Sequence, residues 1–248
     1  MFITLLVVFL VGVISASFGT LVGGGTLLTI PTFIFLGLSP ESAIATNRFG
    51  ANGLIIAGLY EFNKKRLVNY KIGFIICIPA LLGSFLGAII LLQIINELIL
   101  KYLIVIVTIL ILSFIIFKPN IGIEKTKLFI KKTDYLSGIA LSFLIGINSG
   151  LYGAGSGTFL SYVLILLFGQ TFLESAATRK IPTLFSSLIA TLIFILASAI
   201  IYPIGISLFI GNLIGSYLGA HYSDKLGNVW IKRLFIVIIL IMVIKLIT

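Results

Sequence analysis

The chain has 248 residues, 60% of them hydrophobic, with 17 Lys/Arg against 7 Asp/Glu and a formal charge of +10. Charge on 10% of residues cannot cover a water-facing surface, where about a quarter is usual, so an ordinary soluble enzyme is excluded. The basic residues fall mainly in short segments between apolar runs, the pattern of cytoplasmic loops and not of a nucleic-acid-binding face.

Residues 1–40, 72–96, 135–173 and 181–223 contain no Asp, Glu, Lys or Arg. At about 20 residues a span, such stretches predict an all-α polytopic membrane protein of about eight transmembrane helices. The first apolar segment covers 2–36 and is interrupted near Gly19–Gly25; because it lacks a basic start and stays apolar past residue 30, it reads as a retained span and not a leader. Helix 2 follows over 43–60, helix 3 over 72–92 and helix 4 over 99–117, then a basic linker over 118–134. Helix 5 covers 135–168 with an interruption near Gly150–Gly157, followed by helix 6 over 180–200, helix 7 over 204–220 and helix 8 over 230–247. Each interrupted segment is either one bent span or a span plus a re-entrant half-helix.

The segments divide into a first membrane repeat (1–117), the linker (118–134) and a second repeat (135–248), together one transport domain. Gly83-Ser84-Phe85-Leu86-Gly87-Ala88 recurs as Gly215-Ser216-Tyr217-Leu218-Gly219-Ala220, 132 residues on. The same offset carries Gly23-Gly24-Gly25-Thr26 onto Gly155-Ser156-Gly157-Thr158, and Ala45-Thr46 onto Ala177-Thr178. Duplicated halves are common in secondary transporters, which enclose a site near the bilayer midplane. Whether these halves are parallel or inverted stays open. The amino terminus is expected to be cytoplasmic, which puts Lys64, Lys65, Arg66 and Lys71 inside with the linker, but puts the loop around Lys225, Lys232 and Arg233 outside, against the positive-inside rule.

The glycine breaks are the strongest candidates for a site. Glycine lets the chain leave helical geometry and frees amide groups inside the membrane, where the start of the next helix favours an anion. Beside them, Thr46-Asn47-Arg48 faces Thr178-Arg179-Lys180, so that Arg48 meets Lys180 at offset 132. Ionisable residues within a span are functional suspects, and arginine offers a fixed fork of donors. The candidate anion-binding set is therefore Gly23, Gly24, Gly25, Thr26, Thr46, Asn47 and Arg48, with Gly155, Ser156, Gly157, Thr158, Thr178, Arg179 and Lys180. Glu41 and Glu174, 133 residues apart, either couple transport to protons or cap the helices they precede. Asn52 extends a polar stripe toward the bundle interior. Gly83-x-x-x-Gly87 and Gly215-x-x-x-Gly219 read as close helix contacts. Cys77 and His221 are single, which excludes an internal disulfide and a cysteine or histidine metal cluster.

Gly19, Gly23-Gly24-Gly25, Pro31, Gly37 and Ala43-x-x-Thr46, echoed by Gly153-x-Gly155-Ser156-Gly157 and Ala177-Thr178, resemble the sulfite exporter TauE/SafE family over nearly the whole chain. The resemblance implies a bacterial or archaeal inner-membrane permease of about eight spans that moves small anions such as sulfite, sulfoacetate or other organosulfonates, with export the expected direction. The second half departs from that pattern at Ser156, Val163 and the Arg179-Lys180 pair. The partners expected are a small anionic substrate and membrane lipid; no nucleic acid, cofactor, metal or enzymatic step is expected, and a homo-oligomer is left open. The rival readings are a small-ion channel and a membrane scaffold or assembly protein without transport activity.

Overall fold

The computed structural model describes residues 2–93, 124, 130–230, 233 and 237; the sequence-predicted helices over 99–117 and 230–247, and most of the linker, lie outside the described residues. The described helices are α1 (Phe2–Val22), α2 (Thr26–Phe35), α3 (Pro40–Lys64), α4 (Tyr70–Gln93), α5 (Lys132–Leu151), α6 (Ser156–Phe168), α7 (Phe172–Thr178), α8 (Lys180–Leu196) and α9 (Tyr202–His221). Among them α1, α4, α9 and the run Phe172–Leu196 are long and apolar enough to cross a bilayer. The protein is an all-α polytopic membrane protein.

The two interrupted segments are helical hairpins. Positive φ at Gly23 and Gly24 turns the chain between α1 and α2, and at Gly153 and Gly155 between α5 and α6, a conformation that a side chain at these positions would strain. After the first turn Gly25 packs back on the Ser15 carbonyl and Gly19. Ile30 and Phe33 of α2 then rejoin Val8 of α1 in one apolar cluster.

This cluster and two others fix the direction of the long helices. At one end, Val8, Ala43 and Ile44 from early in α1 and α3 meet Ala88, Leu91 and Phe194 from late in α4 and α8. Toward the other end, Val22 and Phe62 from late in α1 and α3 meet Phe172 and Ala176 from α7, with Ala220 from late in α9. There, too, Ile72 and Ile76 of α4 pack with Phe168, and Tyr135 at the start of α5 joins them. Thus α1, α3 and α9 run one way, and α4, α5 and α8 run the other. Helices α3 (40–64) and α7–α8 (172–196), offset by 132 residues at both ends, are therefore antiparallel.

The helices form two three-helix bundles, each drawing on both halves of the chain. In α1–α3–α9, a Cβ on Gly211, Gly215 or Gly219 would collide with the carbonyls of Phe9, Val13 and Ser17 on α1. In α4–α5–α8, Gly83 and Gly87 meet the carbonyls of Phe143 and Ile147, while Gly146 and Gly150 meet those of Ala80 and Ser84. Lipid supplies no hydrophobic drive between helices, so close backbone approach through small residues takes its place. Hydroxyls tie the halves further: Asn69 N donates to Thr178 Oγ1 at 3.1 Å and Ile201 N to Thr46 Oγ1 at 3.0 Å. Likewise Ser84 Oγ donates to Ser186 O at 2.7 Å and Ser216 Oγ to Leu54 O at 2.6 Å. The members of each pair are related by the 132-residue offset, with the halves exchanged.

Polar residues gather at the end where α3 and α9 finish. Lys65 Nζ donates to His221 O at 2.8 Å and to Ser223 Oγ at 3.0 Å, and pairs with Asp224. Glu61, buried, pairs with Lys64 at 3.1 Å and with His221 at 3.4 Å. The Lys225 loop therefore shares an end with Lys64, Lys65 and Arg66, and α1 begins at the other end. The sequence expectation that the amino terminus shares a side with the 61–71 loop is thus corrected: α1 and α3 are parallel, with the α2 return between them, and the loop after α3 lies opposite the start of α1.

Replacing Gly87 by Val drives a branched side chain into the Ile147 carbonyl and should cost about 1–3 kcal/mol or more by overpacking. A lowered melting temperature and lost monodispersity in detergent are the expected readouts; a wild-type melting profile would rule out this contact.

Candidate functional site

The two hairpin turns meet. Gly23 lies against the Thr158 amide, and Gly157 lies against Gly23. The last turn of α1, Gly19 to Val22, is buried, and a helix end kept from water leaves carbonyls without partners, each costing several kcal/mol in hydrocarbon. For α1, Gly23 N donates to Gly19 O at 2.9 Å, and further donors come from the second half of the chain. Arg179 Nη2 donates to Gly19 O at 3.1 Å and Thr20 O at 2.9 Å, Arg179 Nη1 donates to Gly157 O at 2.8 Å, and Thr158 Oγ1 donates to Val22 O at 3.0 Å. The guanidinium also sits at the negative end of the α1 dipole.

The α5 break satisfies more of itself. Tyr152 N and Gly153 N both donate to Asn148 O, at 3.0 and 2.8 Å, and Ser156 Oγ donates to Gly153 O at 2.8 Å. Arg48 arrives there from the first half: its guanidinium fills the place where a Cβ on Gly153 would sit. Among the described residues its one hydrogen bond is a long one, 3.4 Å from Nη1 to Ser149 Oγ, and Nε and Nη2 are buried without partners.

Between the turns lies a cavity of about 90 Å³, below the size of ordinary organic-ligand pockets and suited to a small ion. It is lined by Gly23, Gly24, Gly25, Thr26, Asn47, Arg48, Ser156, Gly157, Arg179 and Lys180 from the sequence-predicted set. Ser15, Gly19, Thr29, Ser149, Gly153, Thr183 and Asn212 also line it. Helices α2 and α6 both begin at this cavity, after Gly25 and Gly155, and no side chain caps either start. Arg48, Arg179 and Lys180 are 7%, 2% and 2% exposed, and no carboxylate is among the lining residues. Three buried basic side chains thus surround one small space.

Other predicted residues fall elsewhere. Thr46 and Thr178 are not cavity-lining; they accept the cross-half hydrogen bonds from Ile201 and Asn69. Thr158 serves the α1 terminus, and Gly155 shapes the turn without lining the cavity. Glu41 sits in the first turn of α3, whose Ser39 cap accepts from Ser42 N at 3.3 Å. Glu174 forms a capping box with Thr171, its carboxylate accepting from Thr171 N at 3.1 Å. Neither carboxylate touches the cavity. Asn52 is buried and donates to Thr191 Oγ1 at 3.1 Å, bridging α3 and α8 outside the cavity. Of the lining residues the sequence reading missed, Asn212 carries a usable signal, a polar amide in the middle of an apolar span; Ser15 and Thr183 carry none. A larger recess of about 430 Å³ lies at the Lys65 end, with Arg66, Asn69, Gln170 and Glu174 among its lining residues, and contains none of the three buried cations.

A bundle of membrane-crossing helices built around a buried polar cavity at paired helix breaks defines the protein as a membrane transporter, and the comparisons agree. The chain belongs to the sulfite exporter TauE/SafE family, whose model matches residues 5–246. It is 29% identical to a probable membrane transporter protein of Haemophilus influenzae, over 98% of this chain and 94% of that one. It is 25% identical to the probable membrane transporter protein YfcA of Escherichia coli K12, over 97% and 88% of the two chains. With YdhB of Bacillus subtilis, also a probable membrane transporter protein, it shares 26% identity over 92% of each chain. No solved structure matches it.

Adding a methyl group at Gly153 combines strain at φ +79 with displacement of the Arg48 guanidinium, so Gly153→Ala should destabilise by about 1–3 kcal/mol. Gly157, without a positive φ and 3.3 Å from Arg179 Nη1 at its nearest contact, is the comparison. Thermal melts should rank Gly153→Ala well below Gly157→Ala, and equal melting temperatures would contradict this account of the turn.

Proposed function

We propose that the protein is a secondary carrier for a small anion, with sulfite or an organosulfonate as the leading substrates and export as the direction. The observation that carries this reading is the set of three buried cations around a cavity without a lining carboxylate. Uncompensated buried charge costs several kcal/mol per ion, and an anion in the cavity offsets that cost. The uncapped starts of α2 and α6 add donors at the positive ends of two helix dipoles. The sulfur oxyanion is favoured by the family's description and by the size of the cavity. A membrane potential negative inside favours anion export.

The halves 1–117 and 135–248 act, in this reading, as inverted repeats with the site on their pseudo-two-fold axis. The antiparallel course of α3 and α8 supports this, as do the hydroxyl pairs exchanged at offset 132. Alternating access then rocks the bundle α1–α3–α9 against α4–α5–α8, not one sequence half against the other. The end bearing Lys64, Lys65, Arg66, Lys131 and Lys225 is cytoplasmic by the positive-inside rule, and the amino terminus is outside.

Full-length protein in liposomes should give saturable flux of at least one of sulfite, sulfate, sulfoacetate or a taurine-like sulfonate, and no saturable flux across the panel overturns the carrier reading. For orientation, Cys77 is buried, so single cysteines report cleanly. Ala197→Cys should react with a membrane-impermeant thiol reagent in intact cells, and Asp224→Cys only after permeabilisation. The reverse pattern overturns the assigned sides.

A further inference from the structure

The three cations of the cavity are not equivalent. Arg179 spends its guanidinium on three backbone carbonyls, those of Gly19, Thr20 and Gly157. Arg48, also buried, leaves Nε and Nη2 unbonded among the described residues. Lys180 Nζ lies against Gly58, where a Cβ would sit 2.8 Å away, and has neither a hydrogen bond nor an ion pair among the described residues. These two unpaired cations are the ones that the 132-residue offset superposes. The residue superposed on Arg179 is Asn47, whose Oδ1 accepts from Thr29 Oγ1.

Resting on the anion-carrier reading above, we infer that Arg48 and Lys180 are the pair of cations that grip the transported anion, one from each half. Arg179 is the tie that closes the carbonyl end of α1. The division follows from what each group gains in an empty site. A guanidinium bonded to freed carbonyls removes unsatisfied acceptors and stabilises the protein whether or not an anion is bound. An unpaired buried cation does the opposite, and apolar replacement of buried charge is often stabilising. Such a cation is retained against its own cost only when a ligand completes it, so stability and binding should respond in opposite directions at Arg48 and Lys180. At Arg179 the loss of bonds to the α1 carbonyls dominates. Lysine cannot reproduce that fork, since it presents a point charge and not fixed planar donors.

The test compares Arg48→Met, Lys180→Met and Arg179→Met in purified full-length protein, melted in gluconate buffer and again with increasing sulfite, sulfate or sulfoacetate. A bound anion raises the melting temperature of the wild type by mass action. Arg48→Met and Lys180→Met should melt above the wild type in gluconate, by about 2 °C or more, and lose the anion-induced rise. Arg179→Met should melt below the wild type. Arg179→Lys should also melt below it but still rise with anion, because the two gripping cations remain. Melting of Arg48→Met or Lys180→Met below the wild type, or a retained anion-induced rise in both, overturns the assignment. So does an Arg179→Met protein that melts at or above the wild type. No anion-induced rise in the wild type, together with no flux in liposomes, overturns the carrier reading and the gripping role with it; the sign of the Arg179→Met shift tests the tie independently.

Discussion

A helix whose end is buried among its neighbours leaves carbonyl groups that water cannot reach, and this protein ends α1 and α5 in that way. Much of the arrangement around the cavity follows from how those groups are satisfied. The end of α1 takes one amide of its own, Gly23 N, and is otherwise closed by Arg179 and Thr158 from the second half of the chain. The end of α5 is closed largely by its own backbone, with Asn148 O taking two amides. That asymmetry leaves Arg48 with bonding capacity where Arg179 has spent its own. One guanidinium is consumed by architecture and the other is left facing the cavity, although both sit at the same kind of break.

Helix packing follows a second constraint, the absence of any hydrophobic drive between helices in lipid. The glycine faces of α9 and α4 meet carbonyls of α1 and α5, and the serines and threonines bond across from one half to the other. With these contacts the most polar long helix, α3, is covered along its length, and Asn47, Arg48, Asn52 and Glu61 are all buried. A helix of that composition is stable in a membrane only if its neighbours cover it. Here α8 and α9 do so, and α1 and α2 cover its early turns.

The sequence made the breaks legible because a glycine cluster in an apolar run has few other uses, and it made Arg48 and Lys180 legible because ionisable residues recur at one offset. It did not separate hydroxyls that line the cavity from hydroxyls that join helices. Thr26 and Thr46 look alike in the chain, and only the three-dimensional register sends one to the cavity and the other to the Ile201 amide. Hydropathy also carries no direction, so the antiparallel course of α3 and α8 could not be read from composition. The apparent conflict over Lys225 arose there: counted along eight consecutive spans it falls on the wrong side, yet in space it shares an end with Lys65. Ser15 and Thr183 line the cavity through backbone placement alone, and nothing in their local sequence marks them.

The exchange of helices between bundles has a consequence for biogenesis. Helices α1 and α3 are synthesised early, but the glycine face that holds them belongs to α9, which begins at Tyr202. At about 5–20 residues per second, translation takes on the order of tens of seconds to get from one to the other. During that interval Arg48 and Glu61 are carried on a helix whose final neighbours do not yet exist. A nascent chain released near the linker would leave α3 without the α8 and α9 neighbours that cover it in the folded protein.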